Sequence, residues 1–177
     1  ITAVTLALSL AFEPSERDIM RRAPRDPAEP MLTGYMTWRI LFVSLLMVAA
    51  TFGLFLWERL QGAEIEAART VAVNMLVVAE AFYLLNSRYL TASVLSWNGL
   101  TGNRWVPIAI ALVMFFQILF TYTPLMQTFF ATASIGVDAW LRIIAAGLAV
   151  FALVEVEKWV VRKIRGAAPR QPRPSSL

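Results

Sequence analysis

Apolar residues in this chain come in long uninterrupted blocks, with the polar residues gathered between them. A soluble helix places its apolar residues on one stripe at i, i+3, i+4 and i+7, whereas a helix that crosses hydrocarbon needs about 20 mostly apolar residues in a row. Four blocks meet the second description: Tyr35 to Trp57, Thr70 to Asn86, Trp105 to Tyr122 and Val137 to Val161. The stretch from Ile40 to Leu56 carries no charge, and Trp38 and Trp57 stand where an interfacial aromatic belt belongs. Pro107 falls in the first turn of the third span, where a missing N–H costs little. A further apolar run, Ile1 to Phe12, is too short to span and starts without methionine or a signal-peptide charge pattern. It reads as the end of a truncated helix, with the natural N-terminus expected upstream.

The predicted class is therefore an all-α membrane protein, a helical transmembrane bundle. Its expected organisation is the end of a truncated helix at 1–12, a cytoplasmic loop at 13–34, a four-helix membrane region at 35–161 and a disordered basic tail at 162–177. Prolines 14, 24, 27 and 30 keep the first loop irregular.

Composition agrees: 58% of residues are hydrophobic, only 16% are charged, and the mean hydropathy is +0.61. With no cysteine the redox compartment is unreadable. With no histidine the usual imidazole base and the commonest transition-metal ligand are missing. Of the 16 Lys and Arg residues, 13 lie in segments 13–39, 87–104 and 158–177, which alternate topology places on one side. The positive-inside rule makes that side cytoplasmic, including the C-terminus, in a multi-pass protein expected in the plasma membrane. The basic balance is thus a topology signal, with some attraction to anionic lipid, and nucleic acid is not an expected partner.

Few polar residues sit inside the spans. Glu80 lies between Arg69 and Arg88, roughly 12–17 Å from each along a helix. A mid-membrane acid costs a few kcal/mol, so it is either an ion- or proton-handling group or a protonated acid bonded to a neighbouring helix. Asn74, six residues earlier and about 120° around the helix, cannot share its site. Gln117 is expected to hydrogen-bond between helices, and Glu155 and Glu157 to be interface charges in reach of water. Asp138 and Arg142 are spaced for an i,i+4 ion pair. Thr2, Thr5 and Ser9 share one helical face, either as hydroxyl ligands for a hard cation or as donors to their own helix carbonyls. Ala49 and Gly53 either admit a close helix neighbour or are simply small residues.

The run Ile1-Thr2-Ala3-Val4-Thr5-Leu6-Ala7-Leu8-Ser9-Leu10-Ala11-Phe12-Glu13-Pro14, followed by Asp18-Ile19-Met20, resembles the sixth helix and following loop of type II P-type cation-transporting ATPases. Glu80-Ala81-Phe82-Tyr83-Leu84-Leu85-Asn86-Ser87-Arg88 is similar to the end of that family's eighth helix. The resemblance covers nearly the whole chain and implies that the four spans are helices seven to ten of a ten-helix transport domain. It implies Glu80 and Thr2 as candidate ligands of a transported cation, with calcium among the candidates and the ion left open, and Thr5 joins them through the shared hydroxyl face. It also implies ATP and Mg2+ for the parent pump, and as partners the lipid bilayer, the inorganic cation and the helices and cytoplasmic domains expected upstream. Ala3 stands where calcium pumps of the family carry a ligand aspartate, which puts a two-calcium stoichiometry in doubt. Neither an Asp-Lys-Thr-Gly phosphorylation motif nor a glycine-rich phosphate loop occurs in the chain, so it should not hydrolyse ATP by itself. The rival readings are a non-transporting membrane scaffold or regulatory bundle and part of a proton-coupled secondary transporter.

Overall fold

A computed structural model describes residues 2–12, 32–87 and 105–167. Its helices are α1 (Thr2–Leu10), α2 (Gly34–Leu60), α3 (Ile65–Ser87), α4 (Trp105–Tyr122), α5 (Pro124–Phe130) and α6 (Val137–Ala167). Four of them, α2, α3, α4 and α6, are long and apolar enough to cross a membrane. The predicted all-helical transmembrane bundle is therefore what forms, and the run at 1–12 is helical from Thr2 to Leu10. The proline-rich linker, the second basic loop with Arg88, and the end of the tail lie outside the described residues.

Local chemistry sets the element ends. Thr33 caps α2, its hydroxyl accepting the Met36 N–H at 3.3 Å. At the other end Gly62 adopts φ +83°, a left-handed conformation open to glycine, and lets the chain reverse into α3. Arg59 clips that turn by donating to the Ala63 carbonyl at 2.7 Å. The connection after α4 is more ordered than a plain loop, since Pro124 starts the short helix α5 and Ala131 ends it in the left-handed region. The hydroxyl of Thr70 accepts the Ala133 N–H at 2.9 Å and ties this connection to α3. At the far end α6 runs on to Ala167, so 162–167, read from sequence as the start of a disordered tail, is helical.

The α3 helix is central, packing against α2 and α6 on one side and against α1 and α4 on the other. Two apolar clusters follow from this. Val71, Met75 and Val78 of α3 join Ala139, Ile143 and Val150 around α6, with Leu46 and Leu54 of α2 against them. On the opposite flank Val77 and Leu84 meet Leu6 of α1 and Val106, Ala109 and Val113 of α4. Ala49 and Gly53 face outward, and a side chain at Gly53 would meet nothing within 4 Å among the described residues.

Candidate functional site

Glu80 sits on the flank of α3 that faces α1, half-buried. Thr2 of α1 donates its hydroxyl to Glu80 Oε2 at 2.9 Å, across 78 residues of sequence. Two of the three candidate ligands are thus in direct contact. Thr5, one turn along α1, is half-buried on the same helix. Ser9 donates to the Leu6 carbonyl at 2.7 Å, the local bonding expected of a hydroxyl in a membrane helix. Among the described residues no group of three or more acidic side chains converges to hold a metal ion.

Asn74 faces a different neighbour, as its helical offset from Glu80 requires. Its amide donates to Thr121 Oγ1 of α4 at 3.0 Å and to the Thr70 carbonyl at 2.8 Å, all in a fully buried position. Gln117, one turn before Thr121, is buried as well, yet its side-chain nitrogen has no hydrogen-bond partner among the described residues. The bond between helices expected of Gln117 is made instead by Thr121.

The charges at the end of α6 are a correction. Glu155 and Glu157 are buried, and Lys158, at 1% exposure, is more so. The Lys158 ammonium donates to Glu155 Oε1 at 2.8 Å, to the Asn86 carbonyl at 2.7 Å and to Asn86 Oδ1 at 3.3 Å. Asn86 in turn donates to the Phe151 carbonyl at 3.3 Å. Beside this knot lies buried Arg39 of α2, which donates to the Tyr35 hydroxyl at 2.9 Å and stands 3.8 Å from Glu157. Lys158 and Glu155 offset their burial by pairing directly, whereas the Glu157 oxygens accept no hydrogen bond among the described residues and have Arg39 opposite at 3.8 Å. The sequence held one clue to it: the apolar residues Trp159, Val160 and Val161 follow Lys158, so the boundary with water lies beyond those charges.

A second ionic cluster closes the opposite end of the bundle. Arg142 of α6 grips Glu58 Oε1 of α2 at 2.7 and 3.0 Å and Asp138 at 3.0 Å. The Asp138 pair is the predicted one. Glu58 was not predicted, because nothing local links residues 84 apart.

Polar side chains paired between helices, with large apolar residues such as Leu45, Phe52 and Leu148 exposed outside, define a polytopic membrane bundle with its chemistry turned inward. Residues 1–160 match the family model described as "Cation transporting ATPase, C-terminus". The chain is 44% identical over 169 residues to the "Probable cation-transporting ATPase F" of Mycobacterium tuberculosis, covering 95% of this chain and 18% of that protein. It is 35% identical to the "Cation-transporting ATPase pma1" of a Synechocystis species, covering 79% and 16%. It is 31% identical to the human "Calcium-transporting ATPase type 2C member 1", covering 88% and 17%. The chain belongs to the cation-transporting ATPase family and is its C-terminal membrane region. It spans less than a fifth of the length of these relatives.

Proposed function

We propose that this region works as part of an ATP-driven cation pump in which Glu80 and Thr2 supply oxygens to the transported ion. The contact between Thr2 Oγ1 and Glu80 Oε2 carries this reading. A hydroxyl has one proton to donate and two lone pairs. Thr2 can therefore keep its proton on the carboxylate while a lone pair turns to a hard cation, which the carboxylate holds by charge. In the ion-free state the same bond satisfies an acid that would be costly alone in the bilayer. Thr5 offers a further hydroxyl on α1. The other ligands, the phosphorylation chemistry and the sites for ATP and Mg2+ belong to the rest of the pump. Calcium is the foremost candidate cargo, a choice that draws on the names of relatives such as the human calcium-transporting ATPase. Membership of an ATPase family favours this reading over a scaffold or a proton-coupled secondary transporter.

The test is Glu80→Gln in the complete pump. Removing a charged ligand from a desolvated site costs at least about 1.4 kcal/mol, or tenfold in affinity. Ion-stimulated phosphoenzyme formation should therefore need about tenfold more ion or more, with ATP dependence unchanged. Titrations with calcium, manganese, sodium and potassium that all match wild type would make Glu80 a structural acid. The isolated region should form no phosphoenzyme. The proposed sidedness puts the Lys158 end in the cytoplasm of a plasma-membrane protein. Labelling of Ser175→Cys by an impermeant reagent outside intact cells would reverse it.

A further inference from the structure

Glu80 is held from behind. Val78 and Phe82 lie two residues to either side of it, so at about 100° per residue they point to nearly the opposite face of α3. That face rests on buried Gly147 of α6. A Cβ built at Gly147 would lie 2.8 and 2.9 Å from the Phe82 ring and 2.9 Å from Val78 Cγ1. Such distances are too short for carbon atoms to share, and neither a ring edge in a packed core nor a branched methyl yields easily. The Phe82 ring is itself backed by Phe151, with centroids 6.1 Å apart. Along α3 the same segment is pinned six residues before Glu80, where Asn74 bonds Thr121, and six residues after it, where Asn86 is held by Lys158 and Phe151. With both ends held, the part of that pressure that α6 does not absorb moves α3 forward at Glu80, toward Thr2.

We propose that Gly147 is a positioning residue for the ion site, its missing side chain setting how far Glu80 stands from α1. The inference rests on the reading of Glu80 as an ion ligand. It adds that ion affinity is set in part from α6, through the back of α3.

The experiment uses the complete pump and reads phosphoenzyme formed from labelled ATP against calcium, manganese, sodium and potassium. Gly147→Ala should raise the half-saturating concentration of the activating ion by about tenfold, while the ATP dependence and the maximal phosphoenzyme level stay at wild type. Adding Val78→Ala and Phe82→Ala removes the obstructing atoms, and this triple variant should return to the value of the Val78→Ala/Phe82→Ala control. A general loss of folding would lower the maximal level and would not be relieved in that way. If Glu80→Gln shifts the curves but Gly147→Ala does not, or if the triple variant stays shifted, the positioning role is wrong and the ligand role stands. If Glu80→Gln leaves every curve at wild type, both fall. Should Gly147→Ala be too unstable to assay, Gly147→Ala/Val78→Ala keeps only the ring contact, and a half-saturating concentration equal to that of Val78→Ala alone overturns the proposal.

Discussion

The α2 and α3 helices are consecutive spans joined by a tight turn, and they are opposites. Only 6% of the most apolar window of α2 is buried, against 56% for α3. Between Ile40 and Trp57 the polar side chains of α2 are only Ser44 and Thr51, whereas α3 carries Thr70, Asn74, Glu80 and Asn86. The more apolar helix is the outer one. Lipid is as apolar as leucine, so no hydrophobic force draws α2 inward, while the polar groups of α3 need partners that other helices alone supply. In a membrane, polarity inside a span marks the centre of the bundle.

This contrast can be broken by experiment. The largest effect on stability should come from Lys158→Met, which leaves Glu155 and the oxygens of Asn86 without their cation. Losing one partner of a buried pair costs about 3–5 kcal/mol, to be read as lost resistance to unfolding in mixed micelles. Next, Met75→Ala at the fully buried heart of α3 should cost about 2–5 kcal/mol through the cavity it opens. The Asn74–Thr121 pair should show a smaller coupling, about 0.6 kcal/mol and at most roughly 1.7, in a double-mutant cycle with Asn74→Leu and Thr121→Val. Leu45→Ala, at a site 70% exposed on α2, should stay within about 0.5 kcal/mol. If Leu45→Ala proves as costly as Met75→Ala in the complete pump, a helix from outside this region covers α2, and the comparison is sharpened into a map of that contact.

Most of the fold was legible because hydrophobic length is a local property. The third span was read to the residue, Trp105 to Tyr122, and the other three within a few residues except where charged ends blurred the boundary. Glu80 announced itself as an acid within an apolar run, and Thr2 through the spacing of hydroxyls and the family resemblance. The hidden features depend on long-range pairing. Glu155 and Glu157 read as interface charges, yet Lys158 beside them bonds Asn86, 72 residues away. Glu58 looked like a loop residue until Arg142 reached it. Gly147 gave no sign at all, since its meaning lies in the two α3 side chains that occupy its empty volume.

The reach of α6 to both ends of the bundle bears on how the molecule is made. A chain inserted in order of synthesis places α2 and α3 in the bilayer before α6, with Glu58 and Asn86 already at opposite ends. Their cations arrive only when residues 142 and 158 emerge, several seconds later at about 5–20 residues per second. Until then the early helices form an open, unclosed assembly whose carboxylate at one end and amide at the other wait for partners. The α6 span therefore closes both ends of the assembly that α2 and α3 begin. A ribosome that stalls or a chain cut short before Arg142 would leave α2, α3 and α4 without the span that shuts both ends.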